Sequence, residues 1–243
     1  LHAVAVVKAG VFTLLKVTIY IFGGEFILSN DVTGGLIWVA AATILIASMV
    51  AMTQDNLKAR LAYSTVSQLS YIVLGAMLAS KAGLIGASMH IAMHAFAKIT
   101  LFFGAGAIFV ASHKKRVSEL DGLGRAMPVT FVAFFIGTLS IIGLPPFGGM
   151  WSKWYLALGA VETAQLLLLA VLMISSLLNI IYLLPIPIRA FFSKPASGEH
   201  YTAIAEAPKP MLLAMVITSS ACVILFFYPD PFYRLAGWAA GGY

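Results

Sequence analysis

The chain has 243 residues, 61% hydrophobic and only 10% charged, against about a quarter charged in an ordinary soluble domain. That balance excludes a soluble enzyme or a nucleic-acid-binding module, because the excess behind the formal net charge of +6 falls mainly in loops on one side of a membrane. The single Cys222 excludes a disulfide within the chain and any thiolate cluster built by it alone.

Apolar runs near twenty residues recur from one end to the other, which predicts an all-α, polytopic membrane helix bundle forming a single membrane domain over 1–243. About seven spans are expected, at 1–23, 35–53, 62–80, 86–111, 127–160, 163–187 and 210–228. The first begins without Met and already inside an apolar helix, so material upstream of Leu1 is expected. It carries His2 and Lys8 as one polar stripe, with Lys16 near enough to an end to anchor at the interface.

The loops alternate in charge. Segment 24–34 holds Glu25 and Asp31, and 54–61 holds Lys58 and Arg60. Segment 81–85 holds Lys81 alone, whereas 112–126 holds Lys114, Lys115, Arg116 and Arg125. Glu162 occupies the next turn, and Arg189, Lys194 and Lys209 the long loop after it. Basic loops lie on the cytoplasmic side. The chain therefore starts near the cytoplasm of the inner (plasma) membrane and ends at Tyr243 on the opposite side.

The fourth span, GASMHIAMHAFAKITLFFGAGAIF (86–109), carries His90, His94 and Lys98 at four-residue spacing. On a helix each such step turns about 40° and climbs about 6 Å, so the three form one ladder. Ionisable groups at membrane depth cost several kcal/mol each unless they face a wet or paired interior. As a purely structural set, the histidines would be satisfied core residues and Lys98 would snorkel, yet Lys98 has about twelve residues on either side within its span. Two histidines at i and i+4 can share a metal, but no Asp, Glu or Cys at matching depth completes a shell. Nor can they be the opposed axial ligands of one haem. Neither a metal nor a cofactor is expected, and the ladder reads as part of a path for protons.

The fifth span is too long for one crossing: Met127 to Ala160 would run roughly 50 Å. Its middle reads Gly-Leu-Pro-Pro-Phe-Gly-Gly at 143–149, and Pro145 and Pro146 remove two backbone donors, so the helix is expected to break there. Broken helices at membrane depth need protein or water to satisfy the freed groups, and transporters use them at ion sites. Lys153 follows the break by a few residues. All nine acids lie in loops or at span ends. A carboxylate for the deep lysines Lys8, Lys98 and Lys153 must come from elsewhere, or these lysines are neutral part of the time. The same distribution disfavours a Na⁺ site built by this chain alone.

Four stretches in order, HAVAVVKAGVF (2–12), DNLKARLAYSTVSQLSYIVLGAML (55–78), MHIAMHAFAKITLFFGAGAI (89–108) and GLPPFGGMWSKW (143–154), resemble the antiporter-like subunits. That family is shared by Mrp cation/proton antiporters, the proton-pumping arm of respiratory complex I and membrane-bound hydrogenases. The lysine in VVKAGVF brings a D-type Mrp subunit closest. The resemblance implies about fourteen helices in two inverted five-helix repeats, each with a broken helix. This chain would match from the eighth helix onward, with 35–160 covering one repeat less its flanks. It further implies that Lys8 is the central eighth-helix lysine, that His90, His94 and Lys98 are the eleventh-helix relay, and that Lys153 is the terminal lysine on the broken twelfth helix. The family's glutamate–lysine pair on its fifth and seventh helices has no counterpart here. Ala59 stands where a second basic residue is common, with Arg60 one place later, which leaves the role of Lys58 open.

The expected function is a proton-translocating subunit of a multisubunit cation/proton antiporter, with protons following the Lys/His axis. The alternatives are a pumping subunit of a complex I-like or hydrogenase redox complex, or a structural subunit that docks a soluble partner. No redox chemistry is expected of this chain itself, which has no nucleotide loop. The expected partners are other antiporter-like membrane subunits, the lipid bilayer and protons, with Na⁺ as the exchanged ion in the antiporter reading, and no nucleic acid.

Overall fold

A computed structural model describes residues 6–29, 31–195 and 204–241, apart from the side chains at 28 and 31–33. Helices form the expected membrane bundle, and no strand occurs among the described residues. His2 lies outside them.

Helix α1 (Val7–Val17) runs through a π-helical turn, Thr18–Phe22, into α2 (Gly23–Ser29), and α3 follows at Asp31–Thr53. The acidic segment 24–34 is therefore mostly helical rather than a loop, since Phe26 and Ile27 keep it apolar enough to continue the span. Helix α4 (Leu57–Met77) starts five residues before the expected span because Asn56 caps it, Oδ1 accepting from the Ala59 N–H at 3.1 Å. Helix α5 (Lys81–Ser112) absorbs the expected loop 81–85 for the same reason: Ser80 Oγ accepts from the Gly83 N–H at 3.0 Å.

The fifth span breaks where the prolines predict, into α6 (Pro128–Ile142) and α7 (Gly149–Glu162). Gly143 ends α6 at φ 89°, a left-handed conformation that glycine adopts without strain. The break is held from outside: the Gly148 N–H donates to the Cys222 carbonyl (2.8 Å) and Trp151 Nε1 to the Phe226 carbonyl (2.8 Å). Both acceptors belong to α10 (Lys209–Phe227). Helix α8 (Leu166–Leu183) passes into α9 (Pro185–Phe192), carrying the sixth span past its expected end. Helix α11 (Asp230–Ala239) was not expected, because ten residues are too short to read as a span.

Among the described residues, five helical stretches are long and apolar enough to cross a membrane. The 21-residue α4 is not one of them. Ser64, Thr65, Ser67, Gln68 and Ser70 dilute its hydropathy, yet all five are buried, so its polarity faces the protein interior.

The basic segments gather at one end of the bundle. The Leu57 N–H donates to the Lys115 carbonyl (2.9 Å), the Val117 N–H to the Asp55 carbonyl (2.7 Å), and Ser118 Oγ to Asp55 Oδ2 (2.8 Å). Backbone N–H groups of Arg116 and Lys115 donate to Glu119 and hold its carboxyl below the usual range. Arg189 joins the same end by a two-pronged contact with Asp121 (2.8 and 2.7 Å). Glu162 lies at the other end, its Oε2 accepting from the Ala82 N–H at 3.4 Å.

Helix α5 is the hub, packing on α4, α6, α7, α10 and α11. Its approach to α7 is backbone against backbone: a Cβ on Gly86 would lie 2.6 Å from the Leu156 nitrogen, and one on Gly159 2.5 Å from the Gly83 nitrogen. Two apolar clusters flank the hub. One holds Tyr71, Met89, Met93 and Leu156, and the other, towards the basic end, holds Leu61, Ala97, Leu101, Phe131 and Tyr182.

This close approach generates a test. Gly86→Ala forces α5 and α7 apart, and about 1–3 kcal/mol of destabilisation is expected. On the same helix Gly106→Ala meets nothing nearer than Met211 Cε at 3.7 Å, so it is expected to be neutral or slightly stabilising. Thermal midpoints of the two variants in the purified complex distinguish them.

Candidate functional site: a buried lysine–histidine axis

The ladder on α5 points inward. His90, His94 and Lys98 are 2%, 1% and 0% exposed. Its rungs form an aromatic column: the His90 and His94 rings stack with centroids 5.6 Å apart and planes at 19°. Tyr71 of α4 stacks on His90 at 5.6 Å and 15°.

Each member has a different hydrogen-bonding situation. Ser152 Oγ donates to the Gly149 carbonyl (3.0 Å) and lies 2.9 Å from His90 Nδ1. With the hydroxyl proton committed to Gly149, the ring proton of His90 is assigned to Nδ1, which leaves Nε2 with a free lone pair. His90 Nε2 and both nitrogens of His94 are buried without a hydrogen-bonding partner in the protein. Lys98 Nζ donates to Ser64 Oγ (2.6 Å) and to the Leu61 carbonyl (3.3 Å).

Lys153 is bound to the break itself. In a continuous helix the Ile142 carbonyl would accept from the N–H of residue 146, but Pro146 has none. Lys153 Nζ takes that place, donating to the Ile142 carbonyl at 3.0 Å and to Ser176 Oγ of α8 at 3.0 Å. The ammonium also lies over the Tyr71 ring, 5.3 Å from its centroid. Its stem passes Gly143, where a Cβ would come within 2.8 Å of Lys153 Cδ. The side chain is half-buried and opens onto an apolar groove of about 570 Å³ lined by Leu144, Trp154, Leu169 and Leu177 among others.

Lys8 is 7% exposed on α1, which packs against α4, the helix that carries Ser64 and Tyr71. The structure thus brings Lys8, His90, His94, Lys98 and Lys153 into one interior, with Pro145 and Pro146 at its edge. Lys58 is not brought there. It is exposed at the basic end, 5.3 Å from the centre of the Phe109 ring. Among the described residues no group of three or more His, Cys, Asp or Glu stands together as a metal shell.

Sequence reasoning missed the neutral partners: Ser64 and Tyr71 on α4, Ser152 on α7, and Ser176, Asn179 and Tyr182 on α8. A signal was available. Ser64, Ser67, Gln68 and Tyr71 follow the 3–4–7 spacing of one helical face, as do Ser175, Asn179 and Tyr182.

Residues 1–179 match the family model described as NADH:quinone oxidoreductase/Mrp antiporter, membrane region. A curated relative, NADH-quinone oxidoreductase subunit N of Desulforudis audaxviator, is 38% identical over 205 residues, which is 79% of this chain and 40% of the relative. This chain therefore spans well under half of that relative's length. Among solved structures, a chain of the membrane-bound sulfane sulfur reductase, an archaeal respiratory membrane complex, superposes with a TM-score of 0.86 at 25% identity. That superposition covers 99% of this chain and 48% of the other. A chain of the Mrp complex from Dietzia sp. gives 0.80 at 23% identity, over 96% and 50% of the two chains, and so shares the fold.

The Lys98–Ser64 contact makes a stability prediction. Ser64→Ala leaves the buried ammonium with the Leu61 carbonyl alone, and a loss of about 1–3 kcal/mol is expected. In a Lys98→Met background the same substitution is expected to cost much less, because the ammonium it would strand is gone. Denaturation midpoints of the four proteins in the purified complex give the coupling.

Proposed function

Because the chain belongs to the NADH:quinone oxidoreductase/Mrp antiporter family of membrane subunits, we propose that it translocates protons within a multisubunit membrane complex, along the axis joining Lys8, Lys98, His94, His90 and Lys153. The observation that carries this reading is His94. It is 1% exposed, sits between two ionisable rungs, and has two nitrogens that no protein group satisfies. Buried polar atoms are nearly always hydrogen-bonded, to water where protein is not available. Water at His94 would complete a hydrated connection between Lys98 and His90. Lys98 and Lys153 are held by hydroxyl and carbonyl oxygens, which accept from an ammonium without fixing its proton as a carboxylate would.

Two couplings fit this axis. In the first the subunit works in a cation/proton antiporter, as the VVKAGVF stretch suggests, beside other antiporter-like subunits. In the second it pumps protons in a redox-driven complex, a reading supported by the 38% identical relative named as a quinone oxidoreductase subunit. In both, the end bearing Lys58, Arg60 and Lys114–Arg116 faces the cytoplasm of the inner membrane, and 35–160 corresponds to one five-helix repeat less its flanks.

Lys153 provides the test. Lys153→Ala removes the titrating amine, and Lys153→Arg keeps a charge that cannot be shed. Both are expected to stop proton movement, read as a pH change in vesicles holding the whole complex, while assembly is retained. Normal movement in the arginine variant would assign Lys153 the role of an anchor for the break.

A further inference from the structure

Helices α4 and α8 run antiparallel and are bridged by hydrogen bonds at three successive levels. Tyr71 Oη donates to the Leu172 carbonyl (3.3 Å), Ser67 Oγ and Ser175 Oγ lie 3.5 Å apart, and Tyr182 Oη lies 3.0 Å from Ser64 Oγ. Ser48 of α3 joins the middle level, 2.9 Å from Ser67 Oγ and 3.3 Å from Ser175 Oγ. Ser48, Ser64, Ser67, Gln68, Ser175 and Asn179 are all 0% exposed. This seam of hydroxyls and amides contains no ionisable side chain apart from its two tyrosines.

Its two ends are the two lysines. At one end Ser64 accepts from Lys98 and also meets Tyr182, whose hydroxyl contacts Asn179 Oδ1 as well. Tyr182 Oη is placed to donate to either Ser64 Oγ or Asn179 Oδ1. A phenol has one proton to give, so when it goes to Asn179 the Ser64 hydroxyl is free to donate to Tyr182, and in that arrangement the bonds align away from Lys98. At the other end Ser176 accepts from Lys153, and the Tyr71 hydroxyl lies beside Gln68, Ser175 and Ser176. Between the ends, Asn179 Nδ2 and both amide atoms of Gln68 are buried with no protein partner. Buried polar atoms without a protein partner are ordinarily satisfied by water.

We infer that the α4–α8 seam is a second proton route between Lys98 and Lys153, parallel to the histidine column and independent of it. Lys98 gives a proton to Ser64, Ser64 passes its own hydroxyl proton to Tyr182, and Tyr182 turns its O–H from Asn179 Oδ1 and passes the phenolic proton to water at the unpartnered amide groups of Asn179 and Gln68. That water protonates Ser176, whose hydroxyl proton goes to the neutral amine of Lys153. One proton is moved in total, and every hydroxyl is restored after turning once. Asn179 and Gln68 position the water and exchange no proton themselves.

The inference rests on the proposed axis, and the test separates the two. Proton movement is measured in vesicles holding the whole complex for Tyr182→Phe, His94→Leu and the double variant, with assembly checked for each. Tyr182→Phe keeps the ring and removes only the hydroxyl. With two routes of comparable capacity, each single variant is expected to keep about half the rate and the double variant to fall to background, the two losses in rate adding as they do for parallel routes. Tyr182→Phe behaving as wild type in both backgrounds overturns the inference, and so does complete loss from Tyr182→Phe alone, which would place the two strings in series. If Tyr182→Phe does not assemble, Asn179→Leu removes the amide that positions the water, leaves the direct partners of Lys98 and Lys153 in place, and is read in the same way. Undiminished movement in Lys153→Ala would instead remove the axis itself, whatever the seam variants do.

Discussion

The structure depends on one substitution of donors. Pro146 cannot supply the N–H that the Ile142 carbonyl would receive in a continuous helix, and the Lys153 ammonium supplies it instead. An orphaned carbonyl in an apolar interior costs a few kcal/mol unless partnered. The break and the lysine therefore stabilise each other. Gly143 makes the exchange possible, since any side chain there would strike the lysine stem. Anchoring of the break on the Cys222 and Phe226 carbonyls of α10 then fixes where α7 begins.

The start of α7 sets the rest of the polar interior. Ser152 and Lys153 are consecutive and so point about 100° apart around the helix. One reaches His90 on α5 and the other reaches Ser176 on α8. Backbone contact through Gly86 and Gly159 keeps α5 and α7 close enough for the first of these links. The same geometry places the Lys153 ammonium over the ring of Tyr71, which also stacks on the imidazole of His90. A few close contacts thus connect the break, the histidine column and the α4–α8 seam.

Much of this was legible in the chain. The ladder at 90, 94 and 98 follows from helical periodicity, and the break at 143–148 from two adjacent prolines. The gathering of Lys58, Arg60 and Lys114–Arg116 at one end follows from alternation of charged loops. Element ends were less legible, because caps such as Asn56 and Ser80 extend helices into segments whose composition reads as loop. Helix α11 carries too few residues to register as a span. Serine and tyrosine partners on α4 and α8 lay on regular helical spacing, yet hydroxyls on an apolar helix commonly bond their own backbone, as Thr65 does to the Leu61 carbonyl.

By itself the sequence determined a membrane bundle, a broken helix and an inward-facing row of ionisable groups, because each is set by local chemistry: apolar length, a missing donor and a four-residue repeat. It did not determine which neutral groups those charges meet. Tyr71 finds Leu172 across 101 positions, and Ser64 finds Tyr182 across 118. Short polar side chains carry no sign of their partner until helix faces dock. Only the tertiary structure decided that Lys98 and Lys153 stand at opposite ends of one seam, because that relation arises from side chains that bridge the antiparallel helices α4 and α8, both packed on α3, and from no segment of the chain alone.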